Sequence, residues 1–221
     1  MASAHEDLLQ AVTDGAIDDV RALLAAEPEL SRARDEAGVS ALLQARYRQR
    51  FDMVEAILEH RGDDLDVFES AALGRVDRLT RVVSQDPRAV ESFAPDGFTP
   101  LQLAAFFAQP EAAAMLLQRG ANVEAVSRNA MSLRAIHSAA AGGSTEIVER
   151  LLQSGANPNV RQSGGFTPLH AAAMAGRMDM VRTLLTHGAD PTAKTDDGKT
   201  PYELARANGR AAVVQALRGD W

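Results

Sequence analysis

The sequence predicts an all-α fold: a solenoid of about seven stacked helix-turn-helix units joined by β-hairpin or turn loops. Three observations predict it. A small residue just after a helix start recurs at Ala11, Ala45, Ala71, Ala104, Ala139, Ala172 and Ala205, with spacings of 34, 26, 33, 35, 33 and 33 residues. An apolar triplet at i, i+3, i+4, which marks one face of a helix, recurs in step. It reads Val20/Leu23/Leu24, Val54/Ile57/Leu58, Leu79/Val82/Val83, Ala113/Leu116/Leu117, Val148/Leu151/Leu152 and Val181/Leu184/Leu185, with a frayed Val214/Leu217. Thr-Pro at 99–100, 167–168 and 200–201 punctuates the later units. Two registers keeping one period near 33 residues identify a repeat array, in which no helix pair buries its apolar stripe alone.

Taken in order, the units run roughly over residues 4–36, 37–62, 63–94, 95–127, 128–161, 162–194 and 195–221, as one domain. Unit one carries Asp18-Asp19 in the first turn of its second helix, where negative charge suits the dipole, and Pro28 stops that helix. Unit two opens on "SALLQA" (Ser40–Ala45) and continues into "ARYRQR", a basic cluster offset by Asp52, Glu55 and Glu59, with Arg48–Asp52 as an i,i+4 pair. Unit three, "VFESAALGRVDRLTRVV", follows at the short spacing of 26, which leaves too few residues after Gly62 for a projecting hairpin. A hairpin is therefore expected to be missing between units two and three, with a bend or split there and Asp63-Asp64 as solvated charge. Pro87 ends this unit's second helix.

The later units are more regular. In units four, six and seven the threonine supplies an N-cap acceptor and the proline fills the first helical position at no cost in hydrogen bonds. Thr200-Pro201-Tyr202-Glu203 is a capping box. Paired alanines (Ala104-Ala105, Ala139-Ala140, Ala172-Ala173) allow close helix approach. Gly120, Gly155 and Gly188 supply the left-handed residue past the second helices. "PDG" at 95–97 and "DDG" at 196–198 are turn chemistry. Unit five holds two extra residues and no Asp-Gly turn in Val126–Arg134, so its loop is larger. Trp221 is expected to cover the end of the stack.

These words resemble the ankyrin-repeat family. "FTPLHAAAMAGRMDMVRTLLTHGADP" follows that family's repeat almost position for position, and "GFTPLQLAAFFAQPEAAAMLLQRGANV" nearly so. The stretches Ala135–Asn159 and Lys199–Leu217 are recognisable, and the first three units keep the period but lose the words. The resemblance implies that His137 and His170, one unit apart, are structural groups bonded to the turn backbone. It also implies that the turn tips and the outer ends of the first helices line a concave face that contacts partners. Carried over by position, that face comprises Tyr47 and Arg48 in unit two, and Phe98, Phe106 and Phe107 in unit four. Units five to seven add Arg128, Met131 and Ala141, then Arg161, Phe166 and Met174, then Lys194 and Lys199. Aromatic and arginine side chains on a predicted exposed face are typical of interaction hot spots. Against this, one of Phe106 and Phe107 is expected to tuck inward, and Phe98 and Phe166 to pack as a ladder between turns.

Composition narrows the function. The 221 residues include no cysteine, which excludes a disulfide scaffold, a cysteine zinc site and a thiol nucleophile, and suits a reducing compartment. No signal peptide and no membrane-length apolar run is visible, so a cytoplasmic protein is expected. The net charge of −7 falls wholly in residues 1–65, with fourteen acidic and seven basic side chains. The remainder is balanced, which offers little to a phosphate backbone. No nucleotide, hydrolase or metalloprotease motif appears, so neither catalysis nor a cofactor or metal is expected. The expected function is a non-catalytic module that binds a protein or peptide partner on the concave face, as a monomer. Self-association as a homodimer through the same patch is the alternative, and an enzyme site at the unit-five loop the remote one.

Overall fold

The computed structural model describes residues 3–218, so Trp221 lies outside the described residues. Among these are fourteen α-helices and no strand. In chain order they are α1 (Ala4–Asp14), α2 (Ile17–Ala26), α3 (Ala41–Tyr47), α4 (Phe51–Arg61), α5 (Val67–Ala72), α6 (Val76–Gln85) and α7 (Pro100–Phe106). There follow α8 (Pro110–Gln118), α9 (Ala135–Gly142), α10 (Thr145–Gln153), α11 (Pro168–Ala175), α12 (Met178–Thr186), α13 (Pro201–Ala207) and α14 (Ala211–Ala216). Short 3-10 turns start at Pro28 and Pro87, just beyond α2 and α6, where proline cannot continue the α-helix.

Apart from the eleven-residue α1, the odd-numbered helices are six to eight residues long, too short to persist alone, and a local device fixes the start of each. In α3 the Ser40 hydroxyl accepts from the Leu43 amide; in the other six the residue at the third helical position returns a side chain to the N-cap amide. Glu6 does so for Ser3 and Glu69 for Asp66, Gln102 for Thr99 and Glu203 for Thr200, while histidine serves at 137 and 170. Such caps contribute about 1 kcal/mol each.

The β-hairpin or turn loops expected between pairs are hydrogen-bonded turns, and no strand forms among the described residues. Asp35, Ala94, Gln162 and Thr195 each donate an amide to the carbonyl four residues on, and Ser127 to Leu133, six residues on. Most of these turns are too short to build a ladder; the first adds a second bond, Ala41 amide to Ala33 carbonyl, which gives the only bridge among the described residues, Arg34–Ser40. Neighbouring turns are bonded side by side, Arg128 to Gly97, Ser163 to Met131 and Asp196 to Gly164. A Cβ at Gly97 would lie 2.7 Å from the Arg128 carbonyl carbon, and its φ is +86°, so only glycine lets these two turns join.

Between α4 and α5 the chain passes from Gly62 to Asp66 without such a turn. The flanking turns close the gap, with a Gly38 Cβ placed only 3.1 Å from the Pro95 ring. The apolar core divides at the same place. One group of buried side chains runs from Leu8 to Leu65 and another from Val67 to Val213. A small third group (Leu43, Ala72, Ala94, Leu103 and Phe107) joins them on the inner side. Behind it, Arg61 and Glu69 form a buried bidentate pair at 2.7 Å. Asp63 and Asp64 are not merely solvated: Asp63 pairs with Arg81, and Asp64 with Arg32 and Arg78.

Candidate docking groove

The closed gap brings unit two against unit four. The Tyr47 ring, at the end of α3, lies 6.1 Å from Phe106 and 5.2 Å from Phe107, and its hydroxyl donates to Asp96 at 2.7 Å. Burial, and secondarily the Asp96 carboxylate, raise the Tyr47 pKa above its ordinary value, so the phenol stays a neutral donor. Phe106 and Phe107 meet edge to face at 5.0 Å. They have different fates: Phe106 is 38 % exposed and Phe107 only 8 %.

Tyr47, Phe98, Phe106, Met131 and Leu133 line a cleft of about 340 Å³ along the turns and first helices. A second cleft of about 450 Å³ continues from it, sharing His137, Ala141 and Gln162 and adding Phe166 and Met174. Met131 and Met174, at 48 % and 40 %, are among the most exposed large apolar side chains. The larger unit-five loop roofs the first cleft. The Asn129 side chain accepts from the Ser127 hydroxyl and the Met131 amide, and donates to the Asp96 carbonyl. Ser163 binds the loop from the other side. Met131 is thus held over the groove by both neighbouring turns. On the floor, α9 approaches α7 so closely that a Cβ at Gly142 would lie 2.2 Å from the Phe106 carbonyl oxygen.

The structure therefore gathers Tyr47, Phe98, Phe106, Met131, Phe166 and Met174 along one continuous concavity. It does not gather the rest of the expected face. Phe107 is a correction: it is buried against Tyr47 and the Arg46 guanidinium, 4.6 Å above its ring, and lines neither apolar cleft. Arg128 stacks 3.8 Å over Phe93, outside the clefts. Arg161 binds Asp196 and the Lys194 carbonyl, and Lys199 pairs with Asp197. The exposed Lys194 side chain lines neither cleft. Arg48 donates to the Gln44 carbonyl, and Asp52 accepts from the Met53 amide, so the expected Arg48–Asp52 pair is not formed. Nor do Phe98 and Phe166 form a ladder, because Leu133 holds the equivalent position in the turn between them. Leu133 precedes its helix in the same register as both phenylalanines, and that register is the sequence signal that marks it.

His137 and His170 are structural groups. A backbone amide can only donate and a carbonyl only accept, so their bonds fix the tautomer. Nδ1 of His137 accepts from the Arg134 amide and Nε2 donates to the Val160 carbonyl, both at 3.1 Å. His170 does the same between Thr167 and Lys199. Burial pushes the His137 pKa down from 6.5 to about 4, with Arg134 acting in the same direction, and burial lowers that of His170. The unfolded chain thus takes up these protons first as pH falls. The neutral-His137 contribution is complete above about pH 6.5 and is lost as pH drops towards 4, amounting to about 3 kcal/mol. Urea midpoints at pH 7.5 and 4.5 should differ less for His137→Gln than for the wild type. An identical pH dependence in the two proteins would contradict this assignment.

Among the described residues no helix is long and apolar enough to cross a membrane. A family profile for ankyrin repeats, three copies long, matches residues 8–127 and 136–220. The chain is similar to "Probable E3 ubiquitin-protein ligase XBOS31" of Oryza sativa subsp. japonica, at 36 % identity over 96 residues. That alignment covers 43 % of this chain and 21 % of the rice protein. It is also similar to "Ankyrin repeat and SAM domain-containing protein 6" of Rattus norvegicus, at 34 % identity over 102 residues, covering 46 % of this chain and 11 % of the rat protein. The chain thus spans under a quarter of either relative's length.

Proposed function

This chain belongs to the ankyrin-repeat family, and on that premise we propose that it is a non-catalytic module of seven units that binds a segment of a protein partner. The segment lies along the groove from Tyr47 to Met174, and the module works as a monomer in a reducing compartment such as the cytoplasm. The observation that supports this reading most is the continuity of the two clefts. Large apolar side chains that would be scattered on a solvated face converge on one concavity, as at interaction sites. Arg48, Arg128 and Lys194 take rim positions, and their charges steer association rather than anchor it; Arg161 and Lys199 are each answered by an aspartate and add little to that steering.

Phe106 separates binding from folding, because it is exposed while its neighbour is buried. Phe106→Asp should lose much less stability than truncation of the buried Phe107, because Phe106 is already more than a third exposed to solvent. It should weaken the binding of peptides selected from a randomised display library on the wild-type chain by roughly thirtyfold or more, the effect of losing a hot-spot aromatic. Equal affinity for the two proteins would contradict the proposed face.

A further inference from the structure

We propose that the segment bound in the groove carries an aspartate or glutamate side chain, and that Arg46 and Arg177 receive this carboxylate; the proposal rests on the docking face just described. A pocket of about 300 Å³ opens at the ends of α7 and α9, lined by Arg46 and Arg177 over Phe106, Ala141 and Gly142. It shares Tyr47, Phe106 and Ala141 with the first apolar cleft. The three concavities are therefore continuous, with a basic one at the end and apolar ones beyond it.

The charge there is unanswered. Nine of the 21 arginines pair with carboxylates. Among the described residues Arg46 and Arg177 are two of the twelve that do not, and they stand out because both line one pocket. Each spends one donor on the end of a helix, Arg46 on the Phe107 carbonyl at 3.4 Å and Arg177 on the Ala140 carbonyl at 2.9 Å. A guanidinium has five N–H groups in a fork that matches a carboxylate, so most of the donors on both side chains stay available. The forks are also held in place. Arg46 lies between the Phe51 and Phe107 rings, at 5.1 and 4.6 Å, and the Arg177 side chain fills the space beside Gly143. Burial lowers the Arg46 pKa with no carboxylate to offset it. Two partly desolvated cations without an anion, at the end of an apolar groove, fit a ligand that brings its own.

The probes are the peptides selected on the wild-type chain, synthesised with acetylated and amidated ends. Their affinities are compared on wild type, Arg46→Gln, Arg177→Gln, the double variant and Phe106→Asp. Glutamine at 177 retains a donor for the Ala140 carbonyl, and thermal melts check that every variant folds. The selected peptides should share an acid at constant spacing from an apolar residue. Each arginine substitution should weaken binding about tenfold or more, as for lost hydrogen bonds to charged groups. Changing the peptide's acid to its amide should cost the same factor on wild type and little on the double variant. Peptides without a shared acid, a requirement for a free C-terminal carboxylate, or an acid-to-amide cost equal on both proteins would overturn the carboxylate assignment. If such peptides still lose affinity on Phe106→Asp, the docking face stands and only this inference fails. If Phe106→Asp binds them as wild type does, or the library yields no binder, both fail.

Discussion

Glu69→Ala should destabilise the protein by about 3–5 kcal/mol, a third or more of the stability of an ordinary domain. The Glu69 carboxylate is fully buried and takes both forks of Arg61, whose side chain is 5 % exposed. It also accepts from the Asp66 amide, so one side chain starts α5 and neutralises the cation. Without it, Arg61 keeps only the Asp64 and Ser31 carbonyls, and a guanidinium stays buried without an anion. This occurs where the core is divided and no turn links the neighbouring units, so few other contacts can compensate. Denaturant unfolding checks the value, and Arg61→Met/Glu69→Leu should lose less than Glu69→Ala, because it removes both charges together. A loss under 1 kcal/mol in Glu69→Ala would show that the pair does not hold the junction.

Phe107→Ala should cost a similar 3–5 kcal/mol, the range for a buried aromatic truncated to alanine. Phe107 packs with Leu43, Ala72, Ala94 and Leu103, and these side chains come from three successive units. Removing it opens a cavity beneath Tyr47 and Phe106 and frees the Arg46 guanidinium above the ring. The groove should therefore lose its shape as well as its support. Unfolding measured beside Phe106→Asp gives the sharpest contrast, since adjacent phenylalanines should differ by several kcal/mol. Equal stability of the two variants would contradict their assigned orientations.

Much of the fold was legible because its determinants are local. Thr99, Thr167 and Thr200 start helices where the sequence places them, and the two extra residues of unit five reappear as a turn closed over six residues instead of four. The fate of Phe106 and Phe107 was not legible. The two residues sit at the end of α7, where helical phase does not choose between neighbours. The choice is made by Tyr47 and Leu43, which arrive from unit two across a closed gap. The ion pairs of the basic rim were not legible for the same reason, since Asp196 meets Arg161 from 35 residues away. The sequence does carry a signal for the third concavity. Arg50, Arg75, Arg177 and Arg210 hold one register, the N-cap of a second helix, and Arg177 and Arg210 each bond a carbonyl at the end of the preceding unit's first helix.

The docking groove is tested most directly by methyl spectra of the methionines during titration with a selected peptide. Met131 and Met174 stand in the groove, whereas Met53 and Met180 are buried and Met178 begins the second helix of its pair, α12. The structure predicts that Met131 and Met174 shift together while Met53, Met178 and Met180 stay in place. Shifts at Met178 with Met131 and Met174 unmoved would put the partner on the opposite face and contradict the account.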